Sequence, residues 1–497
     1  MMAMRMMTAV IVAAMMVGCS LAPDYQRPRQ EIPSSWAETE SPQDSEKDVR
    51  TALSLDWWRR FDDEALNRLV VQALARNRDI EQGLARVDSA RAALIAARGE
   101  LFPTVGAEGS GARSRSSRDT SASFGMAEEL GLLERRVSRI DGGPAGMIGA
   151  PPRTGSLWSG TVQAVWELDF WGKYRNSASA AREALLSAEE TQRALALSVA
   201  GQVCSAYFDL LNYDAQLALT ERTLAVRQEY AALYEKQFAG GAISELDILN
   251  VRTQVDTLKD SLAQVRAKRE QAEAALLLLT GASPQDIYAG RAERGLALET
   301  FPAIPQLPAG VPSELLTRRP DIASAEAALR AANLRVGVAR AAFFPSISLT
   351  GSLGTESTEL DGLFKGASST WSFGGTVDIP LLTFGRTLGA VRQSEAAVRA
   401  AAAAYEQSVQ RAFRDIRNAL AIQRGMAEST ASLEQAAERM AKAAELARKR
   451  YAEGYSPYLD VLEAERTLYN TQMQLVDRRA AGLAAIAQVC VVLGGGW

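Results

Sequence analysis

Four short segments of the chain alternate between apolar and polar residues, as a β-strand with one apolar face does. In residues 158–169 the even positions read Trp, Gly, Val, Ala, Trp, Leu, whereas most odd positions are polar. The same alternation is present near residues 104–113, 346–354 and 370–380. About ten residues is the length of a tilted strand in a membrane barrel. The pattern predicts four transmembrane β-strands; for any single segment, a half-buried strand in a soluble sandwich is the alternative.

Most of the remaining chain is predicted to be helical. Residues 387–450 contain no proline and are rich in Ala, Glu, Gln, Arg and Leu, and residues 173–238 share that composition. A helix of this length would be about 100 Å long. Glycine-containing turns separate the two long helices from shorter ones predicted over residues 245–279 and 458–493, and helical residues 63–99 and 313–342 precede the strands. A soluble coiled coil would not explain strands inserted between helices.

The chain contains an internal repeat. Phe102 and Pro103 match Phe344 and Pro345 at an offset of 242 residues (344 minus 102). Further on, Trp171-Gly172 matches Phe384-Gly385 at an offset of 213 (384 minus 171), and this offset holds to within one residue up to the C-terminus. The copies therefore differ by an insertion of 29 residues (242 minus 213) between Pro103 and Trp158. Its polar, glycine-rich composition predicts an exposed loop, with a short helix around residues 127–140.

Two strands per copy require an oligomer. Four strands cannot close a barrel, and an unpaired backbone group costs several kcal/mol in hydrocarbon. An eight-stranded barrel fills with side chains, so twelve strands from three chains is the smallest count that leaves a lumen. The sequence predicts a mixed α+β membrane protein: four transmembrane β-strands per chain complete a shared 12-stranded barrel in a homotrimer, and long α-helices make up most of the rest of the chain.

The N-terminus has the pattern of an export signal. Arg5 precedes an apolar run over residues 8–17 that is too short to span a membrane. The sequence Gly18-Cys19-Ser20 resembles a bacterial lipobox, which identifies Cys19 as the lipid attachment site; an ordinary signal peptide with a cysteine near its cleavage site is the alternative. Serine rather than aspartate after Cys19 favours the outer membrane, with outer-membrane lipid as a partner.

These features divide the chain into five parts. The expected parts are a signal peptide (1–18), a lipidated extended segment (19–60), a first repeat (61–280), a proline-containing connector (281–312) and a second repeat (313–497).

Composition excludes much chemistry. The 497 residues carry a net charge of −4, which provides no polycationic face for nucleic acid. The chain has no histidine, the commonest general base and metal ligand, and no phosphate-loop or dinucleotide motif. Cys204 and Cys490 lie in apolar helical patterns, which predicts buried free thiols rather than a disulfide. No enzymatic activity, cofactor or metal site is expected.

The whole mature chain resembles the outer-membrane factors of the TolC and OprM kind, specifically the NodT-type lipoproteins of RND efflux systems. The residues that carry the resemblance are 19–28, Trp57, Trp58, Phe61, Phe344, Pro345, Tyr451, Gly454, 459–464 and 493–497.

The resemblance implies a trimeric channel in the outer membrane, with a periplasmic helical tunnel narrowed at its tip. It implies a passive export duct for drugs or other toxic small molecules. Its partners would be a periplasmic membrane-fusion adaptor and an inner-membrane RND transporter. A channel for type I protein or polysaccharide secretion would share the architecture and is the alternative.

The resemblance also places a gate at the tip. Leu459 and Glu463 lie four residues apart and share a helix face, and Asp460 lies beside them. Repeated three times by symmetry, a leucine ring would form an apolar constriction, and a carboxylate ring would favour cations. Tyr451 and Asp247 match a tyrosine and an acid that hold the tip closed in relatives. Exposed ion pairs with nearby Arg or Lys are the alternative for the acids.

The same mapping assigns the two turns to adaptor docking. The docking residues would be Gly240, Gly241, Ser244, Gly454 and Ser456. Ser456 departs from the arginine that some relatives use in closing the tip.

Overall fold

The computed structural model describes residues 20–32, 56–115, 154–301 and 318–495. The predicted signal peptide, Cys19, the predicted helix at 127–140 and most of the connector's prolines lie outside the described residues. The chain forms two compact units, and both copies of the repeat contribute to each. The strand unit contains Leu94–Ser179 and Leu334–Ser394 with the first described residues, and the helical unit contains Asp24–Ala93, Ala180–Asn333 and Glu395–Trp497.

The strand unit holds one antiparallel sheet. Its strands are β1 (Thr104–Arg115), β2 (Thr154–Glu167), β3 (Ser346–Ser357) and β4 (Ser369–Asp378), in the order β1-β2-β3-β4. The four predicted strands are confirmed, although β2 begins four residues earlier than its alternation indicated. The residues of the apolar face are exposed or half-buried in the single chain, and the most exposed are Trp371 at 78% and Phe373 at 77%. An exposed aromatic face is typical of strands that contact lipid.

Eight α-helices account for most of the other residues that the structure describes. They are α1 (Glu64–Arg76), α2 (Arg78–Gly99), α3 (Lys173–Ala239), α4 (Glu245–Leu279), α5 (Pro284–Ala289), α6 (Pro320–Ala341), α7 (Arg386–Ala452) and α8 (Tyr458–Val492). The long helices α3 and α7 have 67 residues each, and α4 and α8 have 35 each. Equal helix lengths follow from an insertion confined to one loop.

The helical segment predicted over residues 63–99 is interrupted at Asn77. This residue has an extended ψ of 132°, and its side-chain oxygen accepts hydrogen bonds from the N–H groups of Asp79 and Ile80. Its amide nitrogen donates to the carbonyl of Leu279 at 2.8 Å. Asparagine therefore ends α1 and caps α2, because its side chain satisfies backbone groups that a continuous helix would have used.

Two glycines close the ends of α4 and α8 in the same way. Gly281 and Gly494 have φ values of 68° and 94°. A Cβ atom at Gly281 would collide with the carbonyl of Arg76, and one at Gly494 would press against the carbonyl of Arg318. Arg318 is the repeat position of Arg76 (318 minus 76 is 242). Glycine is required here by both the left-handed backbone and the close approach.

The core of the helical unit includes a buried 3₁₀ turn, Trp57–Phe61, whose aromatic side chains pack among the apolar residues of the helices. The Phe61 ring packs edge-on against Phe208, with centroids 4.9 Å apart. Cys204 and Cys490 lie in the same core as free thiols, as predicted, and burial raises the pKa of Cys490 to about 12.

A buried carboxylate ties three parts of this core together. Asp63 caps α1 by accepting from the Leu66 N–H at 3.0 Å, and it also accepts from the Tyr207 hydroxyl at 2.8 Å and the Leu296 N–H at 2.9 Å. The Tyr207 oxygen accepts in turn from the Gly295 N–H at 2.9 Å. Burial first, and then the bond to Asp63, raise the pKa of Tyr207. The tyrosine therefore stays a neutral donor.

The N-terminal segment is clamped to α6. The Glu326 carboxylate is buried, and it accepts hydrogen bonds from Tyr25 at 3.1 Å, from Nε and Nη2 of Arg27 and from Arg330 at 2.7 Å. The Arg330 guanidinium also lies over the Tyr25 ring, 5.4 Å from its centroid. One carboxylate thus binds the N-terminal segment, through Tyr25 and Arg27, and a side chain of its own helix, Arg330.

Glu326→Gln is expected to weaken this clamp at neutral pH by about 1–3 kcal/mol, because the amide carries no charge to pair with the arginines and keeps only one of the two acceptor oxygens. Burial alone would raise the pKa of Glu326, but the bonds from Arg27 and Arg330 outweigh it and hold that pKa below its usual value. A carboxylate whose pKa is lower in the folded than in the unfolded protein stabilises the fold at pH values above its unfolded-state pKa. That stabilisation is lost as the pH falls through the folded-state pKa. Limited proteolysis of the N-terminal segment should therefore accelerate in the parent protein once the pH falls below the ordinary pKa of a glutamate side chain. The variant should be cleaved faster at pH 7 and lack this acid step, whereas identical pH profiles would contradict the assignment.

Candidate gating site at the paired helical turns

The turns that follow α3 and α7 have the same backbone geometry. Gly241 and Gly454 have positive φ values of 69° and 80°. In each turn the N–H of the next residue donates to the carbonyl five residues earlier, at 2.9 and 2.8 Å. This is the Schellman arrangement that ends helices at glycine. Gly240, Gly241, Ser244 and Gly454 are exposed, as docking residues would have to be.

The helices that follow the turns begin differently. Ser244 caps α4 in a capping box with Asp247, whose N–H donates to the serine hydroxyl at 3.2 Å while its carboxylate accepts from the serine N–H at 3.2 Å. At the equivalent position before α8 stands Pro457, which has no side-chain acceptor. The carboxylate of Asp460, the repeat position of Asp247, consequently has no capping role. Among the described residues it makes no ion pair either.

Two of the residues predicted to form a gate, Leu459 and Glu463, are exposed on the first turns of α8. Leu459 is 64% exposed, and its counterpart in the first copy, Leu246, is 68% exposed. The Glu463 carboxylate pairs with Arg466 at 2.8 Å on the same helix. Within one chain Glu463 therefore makes the surface ion pair that was the alternative to a gating role. Leu459 is an apolar side chain with no apolar cover in the single chain.

A cluster of tyrosines lies beside the predicted gate residues. Tyr234 is buried at 2% exposure, and the rings of Tyr458 and Tyr451 lie 4.2 and 6.1 Å from it, centroid to centroid. Burial first, and then hydrogen bonding to Tyr451, raise the pKa of Tyr234. The structure therefore places the predicted Tyr451 in an aromatic contact between α3, α7 and α8. The described contacts of Asp247 are with Ser244, so the closing pair of Tyr451 and Asp247 stays a prediction.

A second polar cluster lies near the tyrosines and was not predicted. The Glu465 carboxylate is buried and accepts from Arg448 at 2.8 Å. Arg227 is buried as well and donates to Gln254 at 2.5 Å; burial lowers the pKa of Arg227 and the charge of Glu465 opposes that effect. The signal in the sequence was an acid four residues after Val461, on the face of α8 that is otherwise apolar.

Ser456 is partly buried, and its hydroxyl has no hydrogen-bond partner among the described residues. The described residues also contain no group of three or more side chains that could hold a metal ion. The turns thus present a leucine, two carboxylates and a hydroxyl beside a packed aromatic cluster, which are the side chains that the predicted constriction would use.

Comparisons with known proteins agree on one family. The family model described as outer membrane efflux protein matches residues 69–282 and 311–495. The solvent efflux pump outer membrane protein SrpC of Pseudomonas putida is 34% identical over 97% of this chain and 96% of its own length. The cation efflux system protein CusC of Escherichia coli K12 is 31% identical over 98% of each chain.

Solved structures show the same fold. The CmeC outer membrane channel of Campylobacter jejuni superposes with a TM-score of 0.85 at 26% identity, over 96% of this chain and 95% of that one. The open state of the MtrE outer membrane channel of Neisseria gonorrhoeae superposes with a TM-score of 0.79 at 29% identity, over 96% and 98%.

Proposed function

The chain belongs to the outer membrane efflux protein family, and from that premise we propose that three copies form the outer-membrane duct of a tripartite efflux pump. The chain is an efflux channel of the outer membrane with a long periplasmic helical extension. We propose further that the trimer docks on a periplasmic adaptor, which couples it to an inner-membrane RND transporter.

The observation that carries the trimer is the open sheet. Its edge strands β1 and β4 each leave a row of backbone groups without partners in the sheet. In hydrocarbon such an edge is not tolerated. Three sheets joined edge to edge give twelve strands and a lumen, and the exposed apolar face then meets lipid.

The duct is passive in this proposal, and the partner pump supplies the energy. Rings of Leu459, Asp460 and Glu463 close the tip, and binding of the adaptor at the turns selects the open arrangement. The free carboxylate of Asp460 supports a larger role for the second copy, because the equivalent Asp247 is held in its capping box. Residues 61–280 and 313–497 would act as two halves of one wall.

Lipid on Cys19 would anchor the trimer without spanning the membrane. The clamp at Glu326 supports this, because it fixes the segment that follows the cysteine. The mature chain in this proposal begins at Cys19.

Relatives of similar identity are named for solvent, toluene and cation efflux. We infer that the channel accepts small toxic solutes of several kinds and that the partner pump selects among them. Efflux is favoured over protein or polysaccharide secretion because the relatives named above match over nearly their full length.

A deletion strain tests the proposal. Loss of the gene should raise sensitivity to antibiotics, dyes, solvents or metals and increase retention of a fluorescent dye, and a plasmid copy should restore export. Unchanged sensitivity and dye retention, together with loss of a secreted protein or polysaccharide, would support secretion instead.

A further inference from the structure

The two β-hairpins of the strand unit repeat one another residue for residue. In β1 and β2, Ser110 lies opposite Ser159 with the hydroxyl oxygens 2.8 Å apart, and in β3 and β4, Ser352 lies opposite Ser372, also at 2.8 Å. The second pair is the first moved by 242 residues on one strand (352 minus 110) and by 213 on the other (372 minus 159). The two sequence offsets therefore describe strand register as well as sequence resemblance.

The junction between the copies, where β2 pairs with β3, ends in an aromatic corner. The Trp171 ring stacks on Phe344 with centroids 4.6 Å apart, and its indole N–H donates to the carbonyl of Pro345 at 2.8 Å. The corner joins the end of the first hairpin to the start of the second. Because the hairpins repeat one another, the same contact is expected wherever the end of one hairpin meets the start of another.

The equivalent positions at the two free edges also hold aromatic residues, but their rings are largely exposed in the single chain. The offsets give Phe384 for Trp171 and Phe102 for Phe344, and these residues are 96% and 67% exposed. Phe384 also has a φ of 46°, in the left-handed region. An aromatic residue adopts this conformation only where surrounding contacts hold it. Because Phe384 is almost fully exposed in the single chain, such contacts would have to come from another chain. Because β1 and β4 are opposite edges of the sheet, Phe384 and Phe102 of one chain belong to different junctions.

We infer that β4 of one chain pairs with β1 of the partner subunit in the register of the β2–β3 junction. Ser159 lies opposite Glu356 in that junction. The offsets move this pair to Ser372 opposite Ser114 of the partner subunit. Phe384 then rests on Phe102 of the partner subunit by ring contact, since phenylalanine has no N–H to donate. The inference rests on the proposed trimer and specifies which residues meet in it.

The same register matches side chains along the outer face of the edges. Trp371 and Phe373 fall opposite Arg115 and Arg113 of the partner subunit, by the same offsets from the observed pairs of β2 and β3. All four side chains are exposed in the single chain, and neither arginine forms an ion pair among the described residues. A guanidinium within about 6 Å of a ring centroid is attracted to the face of the ring. Two arginines therefore meet two aromatic rings at each junction.

Paired cysteines test the register directly. Opposite Cα atoms in antiparallel strands lie about 4.5–5.5 Å apart, within the span of a disulfide. With both Ser114→Cys and Ser372→Cys in every chain, oxidation by copper phenanthroline in isolated membranes is expected to give linked dimers and trimers on non-reducing gels. Reductant should return monomers. Cys204 and Cys490 are buried and should not interfere.

The matched control is Ser110→Cys with Ser372→Cys. It places the same residue types on the same strand face but four residues out of register (114 minus 110), about 13 Å away. It should stay monomeric on the gel. Linking in the control alone would overturn the register. No linking in either variant, in a protein with trimer mass in detergent, would overturn the pairing and leave the trimer standing, whereas a monomer mass would remove the proposed function as well.

The aromatic corner has its own test. Phe384→Ala is expected to lower the temperature at which the trimer dissociates in dodecyl sulfate, and Phe384→Trp should restore it by supplying the N–H donor that Trp171 has in the observed corner. Phe364→Ala, which removes another ring that is 87% exposed, should leave that temperature unchanged. If the Phe384→Ala trimer were as heat-resistant as the parent, the proposed contact between Phe384 and Phe102 of the partner subunit would be wrong.

Discussion

Asp63→Ala is expected to lower the free energy of unfolding of the helical unit by about 3–5 kcal/mol. The substitution removes the cap of α1, which is the bond from the Leu66 N–H, and leaves the Leu296 N–H and the Tyr207 hydroxyl without their acceptor. A lost cap costs about 1 kcal/mol, and each buried unpaired donor costs about 1–3 kcal/mol. Loss of the helical circular dichroism signal in guanidinium chloride, in detergent, measures the change.

Two variants separate the buried network from a general charge effect. Glu64→Ala removes the neighbouring acid, whose side chain is 92% exposed and pairs only loosely with Arg68, and should change the free energy by less than about 1 kcal/mol. Asp63→Asn keeps one acceptor oxygen and should fall between the two. Equal losses for Asp63→Ala and Glu64→Ala would show that the network does not stabilise the fold.

Leu459→Gly is expected to raise single-channel conductance in planar bilayers several-fold. Three leucine side chains on the axis would be removed at once, and the apolar constriction would lose its barrier to hydrated ions. Glu463→Ala should also raise conductance, by a smaller factor, because it breaks the pair with Arg466 on the same face. Unchanged conductance in both variants would show that Leu459 and Glu463 of the second copy do not form the constriction.

The internal repeat supplies the control. Leu246→Gly changes the equivalent residue of α4, which is equally exposed. If the second copy alone carries the constriction, Leu246→Gly should leave conductance near that of the parent. An increase as large as that of Leu459→Gly would mean that both copies line the constriction.

The strands and long helices were predictable because their signals are local. Alternation located β1 to β4 within a few residues, and the absence of proline set the extent of α3 and α7. The break at Asn77 was not predicted, because the Leu279 carbonyl that accepts from the Asn77 side-chain nitrogen and holds this side chain in place is distant in sequence. A local pattern does not reveal such a partner.

The candidate site was only partly predictable. Leu459 and Glu463 came from their spacing and from the family resemblance, and their roles stay predictions. Tyr234 and Glu465 were missed, because the buried face of a long alanine-rich helix depends on the helices packed against it. Asp460 and Asp247 looked alike in sequence, and the capping hydroxyl of Ser244 distinguishes them in the structure.

The identical hairpin registers also limit how this gene can evolve. Residues within the strands have diverged freely between the copies, and Gly160 now corresponds to Phe373. A codon gained or lost inside β1 would move every later side chain of that strand to the opposite face. Natural selection can therefore change the identity of strand residues one at a time, whereas indels survive only outside the strands, where the 29-residue difference between the copies is found.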